Sequence, residues 1–445
     1  DKSLRCVVCY AESDDGKRWT KPKLRLFPFF EEAETNIVLV GAGGKEGGAG
    51  DRYCNSVVVD PREKDPAKRY KMLYYDWGVG KNVRLGSGVH LAFSPDGIHW
   101  KKHPQMLYKT PYGGKGVPPP YQDEGLYFEE PQSNGTVRKS WRLPIGMSDA
   151  VDVLFDPRRD AFVVYGKMWT PFPDGTLSWK HAMGRIESKD LITWSRPELV
   201  AIVNDRDPPQ LEFHTSPVFF HNGMYFSINQ ILDRSLGTMD AEFMSSRDGF
   251  HWNREFANQW VIPRGPPEQF DAGSIITNGT PIISETELYF YYGAYRGTAI
   301  GGVGLNRQIV GSKDYYSGVG LAILPRDRFV AVGINPKSPV KGQKRGAPQL
   351  ENTIGNVTLR ALDFTGVTGI TLNADASAGQ IRVELLDEDG YRLRGFSRED
   401  ARPLTTEGLA LDARWKDKTI RDLPAGRYLV RVHLERADLF GVTLR

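Results

Sequence analysis

Ser94-Pro95-Asp96-Gly97-Ile98-His99-Trp100 is one copy of a turn that this chain writes four times. The others are Ser13-Asp14-Asp15-Gly16-Lys17-Arg18-Trp19, Ser246-Arg247-Asp248-Gly249-Phe250-His251-Trp252, and a worn copy, Ser188-Lys189-Asp190-Leu191-Ile192-Thr193-Trp194. Each follows an apolar run with strand character: Cys6 to Ala11, Val89 to Phe93, Ala182 to Ile186 and Ala241 to Met244. Asp-Gly supplies a tight turn with positive φ at glycine, and Ser or Asp side chains bond the turn's own amides. The tryptophan then lands where the next strand returns. One such turn is noise; four, each after a strand, are a repeat.

Trp19, Trp100, Trp194 and Trp252 stand 81, 94 and 58 residues apart. That spacing suits a four-stranded antiparallel sheet with a decorated loop. Sheets repeated with one aromatic motif each predict a β-propeller, which hides its edges by radial repetition. Leu324-Pro325-Arg326-Asp327-Arg328-Phe329 reads as a fifth, degraded copy. The expectation is therefore five blades. The Asp-box turn of six-bladed sialidases has an extra residue between Asp and Gly, whereas here the two are adjacent in all three clean copies.

Outward from the turns, the chain reads as two domains. Asp149 to Asp156, Pro157-Arg158-Arg159-Asp160 and Ala161 to Lys167 form a strand, turn and strand, the inner hairpin of a blade. Glu212 to Phe220, His221-Asn222-Gly223 and Met224 to Ile228 repeat that grammar, and Asp271 to Thr277 opens a further blade. Residues 103–147 are rich in Pro and Gly and read as a long loop over one face. The glycine-rich stretch 41–50 has neither the Lys-Ser/Thr ending nor the helix of a phosphate cradle. Blade 1 lacks its innermost strand in this sequence, so an upstream segment or the propeller's C-terminal end is expected to supply it. The propeller is assigned to 1–335, a linker to 336–349, and a β-sandwich to 350–445, where short alternating strands flank Asp387-Glu388-Asp389-Gly390.

Composition narrows the function classes. A net charge of +3 gives no basic field for nucleic acid, and no apolar run approaches a membrane span. Three cysteines, Cys6, Cys9 and Cys54, make neither a disulfide framework nor a spaced metal-ligand cluster. No cofactor is expected, and the sequence leaves open whether an ion sits on the axis. Short sequons occur at Asn134, Asn278 and Asn356.

The Ser-x-Asp-Gly-x-x-Trp turns, with a tail carrying Ile381 to Gly390, Gly395-Phe396-Ser397, Trp415-Lys416 and Ala437 to Phe440, resemble the invertase and arabinanase-like superfamily. These are five-bladed glycoside hydrolases, with a C-terminal sandwich in bacterial members. The superfamily's Asn-Asp-Pro-Asn start and Glu-Cys pair are absent here, and Arg206-Asp207-Pro208 lies in a Pro-rich loop. The resemblance implies a secreted or periplasmic bacterial enzyme acting on an oligo- or polysaccharide, probed best as an exo-enzyme if the 103–147 stretch closes one end of the cavity.

Glycosidic cleavage needs two carboxylates, one protonated and one ionised. In a propeller they belong at the heads of inner strands, where blades converge. The acids so placed are Asp51, Asp149, Asp152, Glu212, Glu268 and Asp271. Asp149, Glu212 and Asp271 are expected to be catalytic, with Glu212 as acid and Asp149 as base or nucleophile. His214, two residues from Glu212, would share its face. Spacing of three puts Asp149 and Asp152 on opposite faces, so only one should point inward. Arg52, Asn55, Asp152, Lys167, Trp169, His214, Gln230 and Arg296 are candidate sugar-binding residues, with Trp179, Tyr292 and Tyr295 as rings at strand ends. The four turn tryptophans are expected to pack blades. A phosphorylase, which needs a basic phosphate pocket, a sialidase, which needs an arginine triad, and a non-catalytic carbohydrate-binding propeller are the alternatives.

Overall fold

The computed structural model describes residues 7–41, 52–76, 88–109, 127–131, 134–141, 147–170, 180–297, 317–334 and 354–445. The chain is all-β. Among the described residues, helix is confined to the 3-10 turns Pro66–Lys68 and Ile420–Asp422. No described helix is long and apolar enough to cross a membrane.

Two compact units divide the chain: residues 1–281 with 290–322, and residues 282–289 with 323–445. The first is a succession of antiparallel sheets laid down in chain order. Val8–Cys9 pairs with Ile37–Leu39 in the first. The second runs Arg52–Val59, Tyr70–Asp76, Gly88–Ser94 and Lys101–Lys102. Met147–Asp156, Ala161–Thr170, Lys180–Ser188 and Glu198–Ala201 form the third. In the fourth, Leu211–Thr215 and Val218–His221 both pair with Met224–Asp233, which is followed by Thr238–Ser246. Ser274–Thr277 lies antiparallel to the Tyr292–Tyr295 end of its neighbour; a single parallel bridge, Met239 to Ser274, joins this part, the fifth sheet, to the fourth.

Each sheet buries one face against the next. Val8 and Leu39 of the first sheet share a core with Met72 and Tyr74 of the second. Leu73 and Leu91 of the second meet Val153 and Val164 of the third, and Val163 and Met183 of the third meet Phe213 and Met244 of the fourth. Leu232 packs with Ile276 between the fourth and fifth. The fifth returns to the first: Trp19 meets Tyr291 edge to face at 5.3 Å, and the Tyr291 hydroxyl donates to Gly16 O. Tyr165 makes the same contact between the third and fourth sheets, donating to Gly249 O at 2.9 Å.

The Ser and Asp bonds recur in every copy of the turn, whereas the tryptophan Nε1 bond is made by Trp19, Trp100 and Trp194 and not by Trp252. Ser94 Oγ accepts from Gly97 N at 2.9 Å, Asp96 Oδ1 accepts from Ile98 N and His99 N at 2.8 Å, and Trp100 Nε1 donates to Gly97 O at 2.9 Å. The worn copy repeats it through Ser188, Asp190 and Trp194. There Leu191 holds φ +65°, where the other copies place glycines. That conformation costs a leucine about 1–2 kcal/mol. Leu191 offsets the cost by full burial in the core between the second and third sheets. Arginines of two Asp-Pro-Arg turns tie each inner hairpin to the following sheet. Arg62 donates to Asp160 O and Lys189 O, and Arg158 to Arg247 O and Gly223 O.

Trp100, Trp194 and Trp252 pack against the cores between sheets while only partly buried, and Trp19 is 46% exposed. Two expectations change. Residues 103–147 are not all loop, since Tyr127–Pro131 pairs with Val137–Trp141 and Tyr108–Lys109 pairs with Gly88–Ser94. The segment 324–329 is no fifth copy. No serine precedes the turn, Asp327 itself holds φ +63° where the clean copies place glycine, and Arg326 and Arg328 bind Asn373, Arg326 through its carbonyl and Arg328 through Nε. The compact division falls at residues 322 and 323, because Arg328 also meets Glu407 and Val332 bridges to Leu439.

In the second unit, two sheets face each other. One holds Ile354–Thr358, Arg427–Glu435 and Gln380–Asp387; the other holds Glu407–Asp412, Ile370–Asp375 and Asp438–Leu444. Alternate residues of both, Ile370 and Leu372 against Val383, Leu385, Val430 and Val432, fill one core, as a sandwich requires.

Candidate active site

Two of the three expected catalytic acids, Asp149 and Glu212, lie close enough to His214 for both charges to act on it. Asp149 enters on Met147–Asp156, whose pairing with Ala161–Thr170 shifts register between Met147 and Val151. From this irregular stretch Asp149 Oδ1 reaches Lys167 Nζ at 2.7 Å, both side chains being nearly fully buried. Glu212 enters on Leu211–Thr215 in the fourth sheet. Its Oε1 lies 2.6 Å from His181 Nδ1, and its Oε2 lies 3.0 Å from Arg234 Nε. The His181 backbone amide adds a third bond to Glu212 at 3.2 Å. His214 stands edge to face with His181 at 6.0 Å and feels the charges of Lys167, Asp149 and Glu212.

Burial governs the electrostatics of this cluster. It would raise the Glu212 pKa, but the bonds and charges of His181 and Arg234 outweigh it and hold Glu212 at about 2. His181 is pushed down to about 4, first by burial and against the pull of Glu212. His214 is pushed to about 3, again by burial first and then by Lys167 and His181. Both rings therefore stay neutral at ordinary pH. An acid must hold its proton, and Glu212 does not. The electrostatics of this cluster therefore favour Glu212 as an anion rather than as the expected general acid.

Asp152 behaves oppositely. Burial raises its pKa to about 7, against bonds from Gly279 and Ser56. Gly279 N donates to Asp152 Oδ1 at 3.2 Å, and Ser56 Oγ lies 3.5 Å from the same oxygen. A β-carbon on Gly279 would come within 2.9 Å of Val218 O. Strands of the second, third, fourth and fifth sheets thus crowd around this carboxyl. Oδ2 receives no hydrogen bond among the described residues, and Asp152 keeps partial contact with solvent. The rule that spacing of three separates faces does not hold here, because the register shift precedes Asp152 and leaves both acids inside.

Other expected residues lie apart. Asp271 sits in the turn before Ser274–Thr277, not on the strand, and accepts from Tyr292 OH at 3.0 Å. That bond follows burial in raising Tyr292 to about 12. Gln230 is buried between the fourth and fifth sheets and donates to Thr277 O at 3.1 Å. Arg296 pairs with exposed Glu268 at 2.8 Å, and Asn55 is exposed on its strand. Side chains of Arg52 and Trp169, and all of Asp51 and Trp179, lie outside the described residues. Asp207 of the Arg-Asp-Pro triplet is bound by Arg254 at 2.7 Å, and Arg254 also pairs with Glu242. That network ties the strand to its neighbours away from the cluster.

His181 and Arg234 escaped the sequence reading, which searched only for acids at inner-strand heads. Both lie near ends of second and third strands. Among the described residues, no group of three or more His, Cys, Asp or Glu is placed to hold a metal ion.

No known protein family matches the sequence, and no curated protein does. Solved structures do show similarity. A protein described as a glycoside hydrolase aligns at TM-score 0.44 and 14% identity, over 70% of this chain and 76% of its own. A glycosyl hydrolase from Bacteroides ovatus aligns at TM-score 0.38 and 13% identity, over 71% and 76%. A third is described with the GH130 family of mannoside phosphorylases, said to contain glycoside hydrolases that target β-1,2 mannosidic linkages in Candida mannan. It aligns at TM-score 0.37 and 14% identity, over 66% and 73%. At these values the similarity assigns neither substrate nor activity.

Proposed function

We propose that the chain is a glycoside hydrolase of oligo- or polysaccharides, built on a five-bladed propeller with an accessory sandwich. One observation carries this reading: two carboxyls on one inner strand in contrasting environments. Asp152 keeps its proton to about pH 7, while Asp149 is ion-paired to Lys167. Two acids whose surroundings separate their pKa values are what glycosidic cleavage requires. Asp152 Oδ2 gives its proton to the departing glycosidic oxygen as the C–O bond breaks. Asp149 acts on the anomeric side, either attacking carbon directly or taking a proton from the attacking water. Glu212, fixed as an anion, accepts the Nδ1 proton of His181, which burial keeps neutral, and His214 offers a neutral ring to sugar hydroxyls.

General acid help matters most when the leaving group is poor. Asp152→Asn should therefore lose at least ~100-fold in kcat on alkyl glycosides and far less on 4-nitrophenyl glycosides. Equal losses on both would remove Asp152 from the acid role. Lys167, Lys180 and Arg234 also bring three cations to the same strand ends, which favours phosphorolysis as the second reading. Running the glycoside panel with and without inorganic phosphate separates the two, since phosphorolysis yields a sugar phosphate only when phosphate is present.

A further inference from the structure

We propose that Ser56 is a positioning residue that sets the acidity of Asp152 from the neighbouring sheet; this rests on the reading of Asp152 as the acid. Ser56 lies on Arg52–Val59 and is 6% exposed. Its oxygen accepts from Val153 N at 3.0 Å, which fixes where the hydroxyl sits. The hydroxyl proton is then directed at Asp152 Oδ1, 3.5 Å away, where Gly279 N also donates. Both donors favour the carboxylate over the acid. They act on one oxygen only, leaving Oδ2 as the atom that carries the transferable proton. The carboxyl is thus suspended between burial, which protects the proton, and two donors from other sheets, which loosen it.

Charged groups on the surrounding elements are committed elsewhere. Lys167 pairs with Asp149, Glu212 with His181 and Arg234, and Lys71 with Glu63 and Asp60. Tyr165, opposite Asp152 in register, sends its hydroxyl to Gly249. Asp76, His214 and His221 are the remaining titratable side chains described on the inner and second strands packed there, besides Tyr70, Tyr74 and Tyr75. None of these supplies a charge–charge contribution to Asp152, so the two hydrogen bonds are the means of tuning it.

Carbon-13 NMR of aspartate-labelled protein reads the Asp152 titration directly, with Asp152→Asn identifying the signal. Ser56→Ala should move the midpoint up by about half to one pH unit. Ser56→Cys, which keeps a side chain of similar size with a weak thiol donor, should move it in the same direction. Ser56→Thr, which keeps the hydroxyl, should leave it in place. The alkaline limb of kcat/KM on alkyl glycosides, whose poor leaving group needs the acid, should follow the same order. An Asp152 midpoint unchanged in both Ser56→Ala and Ser56→Cys overturns the inference. Failure of the underlying reading looks different: Asp152→Asn would keep full turnover on alkyl glycosides while the Ser56 variants still shift the carboxyl signal.

Discussion

Acid should unfold this protein along a slope that counts its buried histidines, and His214→Gln tests the count. His181 is 5% exposed, and the Nδ1 of His214 is buried without a hydrogen-bond partner among the described residues. Their folded pKa values are pushed down to about 4 and about 3, from an ordinary 6.5. Between pH 6.5 and 4 the unfolded chain therefore takes up protons that the folded chain refuses. Stability contributed by such depressed groups is present above the unfolded value and is lost as pH falls through this window. Each group adds a slope of about 1.4 kcal/mol per pH unit where the unfolded histidine is protonated and the folded one is not. His90, lowered to about 4 by burial first and by Lys102, adds a third. Asp152, raised to about 7, holds a proton that the unfolded chain has released and offsets about one share, so wild-type stability should fall by about 2–3 kcal/mol per pH unit near pH 5. Removing His214 should lessen that slope by one proton's share, about 1.4 kcal/mol per unit. Urea unfolding at pH 7, 6, 5 and 4.5, with the m-value fitted at each, measures it. Below 4.5 Glu212 joins in the same direction, because its depressed pKa of about 2 gives stability that is lost as it protonates. A His214→Gln slope equal to the wild-type slope would mean that His214 protonates freely in the folded state. The cluster would then be open to water, and the electrostatics described above would be wrong.

Two further outcomes concern the repeated turn. Leu191→Gly should relieve a strained φ yet destabilise by about 1–3 kcal/mol, because the lost burial exceeds the ~1–2 kcal/mol of backbone relief; a stabilised variant in urea would show that Leu191 packs loosely. Trp100→Ala should cost about 1–3 kcal/mol rather than the full price of a buried ring, with KM on any hydrolysed glycoside unchanged. A stable variant with raised KM would instead place the tryptophan in the sugar site.

The succession of antiparallel sheets was legible because its signal is local and repeated. The Ser and Asp side chains of Ser-x-Asp-Gly-x-x-Trp bond the turn's own amides, so each copy carries its own evidence, and even Leu191 could be recognised as a displaced glycine. Tyr165 and Tyr291, which carry the sheet-to-sheet contact, were invisible because nothing near them in sequence names Gly249 or Gly16 as their partner. The boundary near 322 was hidden for the same reason. Arg326 and Arg328 sit in a turn that looks like propeller, but their bonds run to Asn373, which only the folded sandwich presents.

Asp149 and Glu212 could be picked out as acids at strand heads, yet their protonation could not. A carboxyl's acidity depends on which donors arrive from other sheets, and period-two reasoning cannot foresee a register shift like the one between Met147 and Val151. The shift brings Asp149 to Lys167 and leaves Asp152 among Ser56, Gly279 and Val218. Glu212 meets two basic partners and becomes a fixed anion, whereas Asp152 meets only dipoles and keeps its proton. Charge partners against dipole partners are what separate the two acids, since Glu212 stays ionised although it is the more deeply buried of the two. A donor exchange would test that argument most sharply. Arg234→Met removes one charge from Glu212, so the Glu212 carboxyl should titrate higher while Asp152 stays near 7. Parallel movement of both signals in the same NMR experiment would show one shared field instead, and the division of roles between the two carboxyls would fall.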